Sequence, residues 1–236
     1  MAIPSSSNTA TISSVSALPT YMHEVYEWAY LNPRNVGILD NEIVVSTILW
    51  GNYKRLKQVV LDEIKPNMSV LQVAHVYGSL IPEMARCLNE DGKFELIDIS
   101  PLQITVADKK LGNLPNVTTR IADATNLNDE HHDLVNCFFL LHEIPDDYKR
   151  RVVDTLLSKI KPDGTLIIVD YHKPHRLNPV KPIMRFIFHW FEPFAKELWE
   201  HDIQDYATNP DQYSWHKETI FGGLYQKLIV KRKPET

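Results

Sequence analysis

Glycine is scarce in this chain, with eight among 236 residues, so few backbone positions can turn left-handed without strain. Cysteine is scarcer still: Cys87 and Cys137 stand in the apolar contexts MARCL and VNCFF. Such thiols read as buried side chains of a reducing compartment rather than as a disulfide or a metal pair. No run reaches the roughly 18 uncharged apolar residues that a membrane-crossing helix needs. Basic excess is missing too, since 25 Lys and Arg face 30 Asp and Glu for a net charge of −5, and no nucleic-acid footprint is expected. Residues 1–20 hold neither Lys nor Arg nor an apolar core segment. A flexible Ser/Thr-rich arm is expected there, with no secretory or transit signal.

What is present suits one domain with a substantial core, at 44% apolar and 23% charged residues. Residues 21–65 predict a helical cap of three segments: YMHEVYEWAYL halting at Asn32-Pro33, NEIVVSTILWG capped by Asp40, and NYKRLKQVVLDEI capped by Asn52. No linker separates this cap from residues 66–236, where strands and helices alternate. Strands are expected at 69–76, 93–100, 117–123, 132–142 and 165–171, the last entered through a turn at Lys161-Pro162-Asp163-Gly164. An antiparallel hairpin around Gly222-Gly223 closes the chain. This order predicts an α/β, doubly wound, Rossmann-like sheet, with ligands at the carboxyl ends of its strands.

The residues at those ends can be taken in turn. Asp98 ends the second strand about twenty residues past the first βα turn, where an acid can accept both hydroxyls of a ribose; its plain alternative is a helix cap in DISP. Asp123 in IADAT can accept from an adenine amino group, or can simply make a turn. FELIDIS, RIADAT, KPDGTLIIVD and FGGLYQK together resemble the class I S-adenosylmethionine-dependent methyltransferases, notably those acting on ubiquinone and menaquinone precursors. That resemblance, over about 66–231, implies cofactor contacts from Ala74, Val76, Tyr77, Gly78, Asp98, Ile99, Asp123 and Ala124. One departure stands out. The Gly-x-Gly-x-Gly of such enzymes is replaced by Ala74-His75-Val76-Tyr77-Gly78, and Gln72 takes the place of the acid just upstream. Side chains at 74 and 76 remove the close backbone approach that glycine permits.

The rewritten loop, together with Tyr26–Pro33 (YEWAYLNP), Leu49–Asn52 (LWGN) and Leu140–Asp146 (LLHEIPD), is similar to the rhodoquinone-biosynthesis protein family. The resemblance implies conversion of ubiquinone to rhodoquinone, a ring methoxy being exchanged for an amino group with S-adenosylmethionine as amino donor and manganese required. Alternatives are methylation of a quinone and a catalytically silent binding protein. His142, Glu143 and His172 lie at strand ends beside the cofactor and are the candidates for metal ligand or base; packing and capping are their plain roles. Tyr77 is a further catalytic candidate. Tyr26, Tyr30, Trp50 and Asn52 of the cap are candidates for contact with a flat quinone head, or for ordinary cap packing.

The segment 180–201, VKPIMRFIFHWFEPFAKELWEH, carries one polar stripe at Arg185, His189, Glu192, Lys196 and Glu200 and a wide apolar remainder. Pro193 should kink it. Part of the apolar surface suits a bilayer boundary or a polyprenyl tail, the alternative being a helix packed between sheet and cap. A peripheral position on the cytoplasmic side of an inner membrane is therefore expected, with a mitochondrial matrix face as the alternative.

Overall fold

The computed structural model describes residues 18–20, 22, 32–112 and 114–234. Tyr26 and Tyr30, and most of the Tyr26–Pro33 motif, lie outside the described residues. A short helix α1 (Pro33–Leu39) opens the described cap, with Asn32 accepting from the Arg34 amide and proline in the first turn. Helix α2 (Glu42–Ile48) is capped by Asn41, not Asp40; Asp40 is used elsewhere, as the site shows. Helix α3 (Tyr53–Leu61) buries Tyr53, Leu56 and Val60 in the same core as the sheet, so the cap from here on is a layer of the fold.

Seven strands form one sheet in the order β3-β2-β1-β4-β5-β7-β6. They are β1 (Ser69–Val73), β2 (Lys93–Asp98), β3 (Val117–Ile121), β4 (His132–Phe138), β5 (Ile160–Tyr171), β6 (Tyr213–Ile220) and β7 (Tyr225–Arg232). The first five run parallel, and β7 joins β5 antiparallel with β6 outside it. Alternation along each strand sorts the core. Val70, Leu96, Leu134 and Ile167 join the face that meets α3, while Leu71, Ile97, Val135 and Ile168 join the other. Connecting helices are α4 (Leu80–Arg86), α5 (Pro101–Leu111) and α6 (Asp146–Ser158). Both cysteines are free.

Several boundaries differ from the sequence reading, each for a local reason. Strands β1, β2 and β4 stop short of the apolar runs that suggested them, because the chain turns to form the site; Ala74 and Phe139 both take positive φ, 64° and 54°. Strand β5 begins at Ile160, so the Pro162-Asp163-Gly164 turn is an irregularity inside it, opposite a register shift between His132 and Leu134. The segment after β5 is no single helix. Helix α7 (Lys181–Trp190) ends before Pro193, a 3-10 turn spans Pro193–Lys196, and α8 (Glu197–Glu200) follows; proline denies the ladder its donor.

Candidate active site

Strand β1 pairs with both β2 and β4, and the chain crosses to opposite sides from there, so the ends of these strands frame the crevice of a doubly wound sheet. A cleft opens there, with about 790 Å³ of empty space counting what is open to solvent. Ala74, His75, Asp98, Ile99, Asp123 and Ala124 line it, with Phe139 and Glu143 from the end of β4. A second cavity of about 1360 Å³, measured the same way, adjoins it through His75, Phe139 and Glu143 and is walled by Trp50, Val76, Tyr77, His142, Tyr171, Ile187, Phe191 and Glu192.

Asp98 is buried, and its carboxylate accepts from the amides of His75 at 2.8 Å and Ser100 at 2.7 Å. Burial pushes its pKa up to about 6 against the pull of those two amides. Each oxygen keeps a lone pair, so the group can still accept two hydroxyls. Asp123 accepts from the amide and hydroxyl of Thr125, both at 2.8 Å. It therefore makes the turn that was its plain reading while also lining the cleft.

The loop without glycines is held by side chains. Ala74 keeps a left-handed backbone, φ 64°, a conformation that costs an alanine about 1–2 kcal/mol. The Gln72 amide donates to the carbonyls of Val73 and Ala74 at 3.0 and 2.9 Å and accepts from Asn136 at 2.6 Å. Gln72 is thus committed to the backbone and has no charge with which to pair an ammonium. Further along, the Tyr53 hydroxyl donates to the Tyr77 carbonyl at 3.1 Å and accepts from the Leu80 amide at 3.0 Å. Lys110 donates to the carbonyl of Gly78 at 2.9 Å and is ion-paired with Asp40, which also accepts from the Gly78 amide. Gly78 has φ 84°, and a Cβ there would stand 2.6 Å from the Tyr53 hydroxyl; this surviving glycine serves the clamp and is not among the residues lining the cleft. Val76 and Tyr77 line the second cavity, not the cleft.

His142 and Asp170 meet at the end of β4 and β5. His142 Nδ1 lies 2.9 Å from Asp170 Oδ1, while Nε2 faces Glu143 and Glu192 at 3.7 and 3.6 Å. Burial disfavours the imidazolium, but Asp170, then Glu192 and Glu143, outweigh it and lift the pKa to about 9. A histidine with its pKa raised in this way holds its proton at neutral pH and can donate it. Asp170 and Glu192 were missed; the D of TLIIVDY ends a strand as Asp98 does, and that was the available signal. His172 stands apart, its Nδ1 bonded to the Gly223 carbonyl at 2.9 Å, and it lines neither cavity. Asn52 donates to the carbonyls of Leu49 and Trp50 and is not among the residues lining either cavity. Trp50 does wall the second cavity, its indole N–H directed at Met184 Sδ, 3.3 Å away.

The manganese expectation meets a poor donor set. His142 and Glu143 face each other across 3.7 Å while His172 is turned to the Gly223 carbonyl, and among the described residues no group of three or more His, Cys, Asp or Glu is arranged to hold a metal ion. For an adenosyl donor the residues do fit: a buried acid able to take the ribose, an apolar bay beside it, and the buried Nε2 of His75 left without a partner.

The sheet order and the crevice define a class I, Rossmann-like methyltransferase fold. Residues 70–164 match the methyltransferase-domain family. A ubiquinone/menaquinone biosynthesis C-methyltransferase from Shewanella piezotolerans is 27% identical over 204 residues, 78% of either chain. Its counterpart from Shewanella halifaxensis is 26% identical over 141 residues, so that this chain spans only 55% of that protein's length. Among solved structures, the mitomycin 7-O-methyltransferase superposes with a TM-score of 0.65 at 12% identity, over 88% of this chain and 60% of that one. The N-methyltransferase NodS from Bradyrhizobium japonicum, in complex with S-adenosyl-L-homocysteine, gives 0.59 at 14%, over 92% and 100%.

Proposed function

We propose that this protein is an S-adenosylmethionine-dependent transferase acting on the ring of a quinone, and that the group it transfers is the amino group, converting ubiquinone to rhodoquinone. The observation that carries the amino reading is the first turn. Gln72 is locked onto the backbone and Ala74 and Val76 replace glycines, so the amino-acid arm of the donor loses both its usual acid and its close backbone contact. A carboxylate beside an amine favours the ammonium form; without one, the neutral nucleophilic amine is easier to reach. In the second cavity the His142 imidazolium and the aromatic walls of Phe139 and Tyr171 suit a flat ring. Attack of the neutral amine at the methoxy-bearing carbon builds negative charge on a quinone oxygen, and a buried proton donor lowers that barrier. The methoxy group leaves as methanol when the ring closes back to the quinone, and the nitrogen–Cα bond of the donor must then break for the ring to keep NH₂.

Methyl transfer to the quinone is the second reading. The curated relatives favour it, since both bear the name C-methyltransferase. Protein incubated with ubiquinone and S-adenosylmethionine labelled with ¹⁵N in the amino group separates the two. Amino transfer yields a ¹⁵N-labelled quinone about 14 mass units lighter than ubiquinone, since OCH₃ gives way to ¹⁵NH₂. Ubiquinone has no free ring carbon, so methyl transfer is read in a parallel incubation with a quinone precursor lacking the ring methyl: methylated product there, with ubiquinone left unlabelled, excludes amino transfer and establishes the second reading.

We also infer a peripheral position on an inner membrane, at its cytoplasmic or matrix face. On α7, Ile183, Phe186 and Trp190, followed by Phe191, are 47–66% exposed, and Ile187 and Phe191 wall the second cavity. An apolar ridge at the mouth of a quinone cavity suits delivery of the ring from a bilayer. No described helix is long and apolar enough to cross a membrane.

A further inference from the structure

His75 lies between Ala74 and Val76 in the first turn. The ring is buried and belongs to the wall of both cavities. Gln103 presents its carbonyl oxygen to Nδ1 at 2.9 Å and its amide nitrogen to the Tyr77 hydroxyl at 3.1 Å. With an acceptor at Nδ1, the proton sits on that nitrogen and Nε2 becomes a bare acceptor. That Nε2 is buried and has no partner.

Protonation does not supply the missing partner. Burial first, and the Lys110 charge second, drive the His75 pKa down to about 3, more than the Gln103 bond restores. The ring is neutral at any physiological pH. An orphaned buried acceptor is costly, and a native fold keeps one where a ligand completes it. The backbone adds a location: the His75 amide is bonded to Asp98, the acid proposed to take the ribose, and the residue stands where the cleft and the second cavity meet.

We propose that His75 Nε2 accepts a hydrogen bond from the α-amino group of the bound donor, positioning the amino-acid arm at the seam between the two cavities. This rests on the reading that S-adenosylmethionine docks against Asp98. A neutral imidazole takes an N–H without holding it as an ammonium the way a carboxylate does. Glu143, the carboxylate that shares the seam, faces His142.

His75→Asn keeps a polar atom near the Nδ1 position, and with it the Gln103 contact, while deleting Nε2. Binding of S-adenosylhomocysteine and of 5′-methylthioadenosine, which has the nucleoside and sulfur but no amino-acid arm, is measured by calorimetry for wild type and variant. The variant is expected to bind S-adenosylhomocysteine about tenfold more weakly, the ~1.4 kcal/mol of one buried hydrogen bond, with its methylthioadenosine affinity unchanged. In wild type, the His75 Nε2 resonance in long-range ¹H–¹⁵N spectra is expected to shift with the former ligand and stay put with the latter. This second readout stands if the variant fails to fold. Equal affinity of wild type and variant for S-adenosylhomocysteine, equal weakening toward both ligands, or an Nε2 resonance indifferent to the amino-acid arm overturns the role of His75. Wild type that binds neither compound overturns the donor reading itself, and the role of His75 with it.

Discussion

At the scale of single residues, two carboxylate and backbone details set measurable behaviour. Asp98 accepts best when ionised, and its raised pKa of about 6 brings its titration near neutrality. Donor affinity is expected to be flat above pH 7 and to fall as pH drops through 6, since the protonated acid offers fewer acceptor sites. Calorimetry across pH 5–8 checks this, and in Asp98→Asn the dependence should vanish along with about tenfold of the affinity. Ala74 makes a second case. At an ordinary position, alanine to glycine costs about 0.5–1 kcal/mol. At φ 64° the left-handed strain of about 1–2 kcal/mol is relieved, so Ala74→Gly is expected to gain about 0.5 kcal/mol in urea unfolding. A loss of 1 kcal/mol would show that the loop relaxes without strain.

At the scale of elements, the altered loop is stable because the cap and α5 grip it. Tyr53 from α3 makes two bonds to it, and Lys110 from α5 with Asp40 closes its far end. Tyr53→Phe leaves a buried carbonyl and a buried amide unsatisfied, at a cost of about 2 kcal/mol. For a chain of this size that is a melting-point drop of about 4–8 °C, readable by differential scanning calorimetry. A drop below 1 °C would mean water replaces both bonds. The loop's unusual sequence was legible, and so was the strand that precedes it. Its grip was not, because Asp40, Tyr53 and Lys110 come from separate elements and Asp40 read as a helix cap.

At the scale of the whole molecule, α7 lines the second cavity with one face and leaves Phe186 and Trp190 exposed on another. If that ridge meets a bilayer, sedimentation with anionic phospholipid vesicles carries the wild type down, and Phe186→Ser with Trp190→Ser lowers the partition at least tenfold, in line with about 1.5–3 kcal/mol per large apolar side chain withdrawn from lipid. Unchanged sedimentation of the double variant removes the membrane role from this helix.

The succession of strands and helices along the chain, the aspartates after the second and third strands and the break at Pro193 were all written locally, in apolar runs, in residue type at a fixed distance from a turn, and in a missing amide. Those features need no distant partner, which is why the sequence determined them. The charge of His142, the neutrality of His75 and the backbone bond that holds His172 arise from groups that only packing brings within about 3–4 Å of each other. Proton affinity depends on burial and neighbours together, and tertiary structure alone decided both.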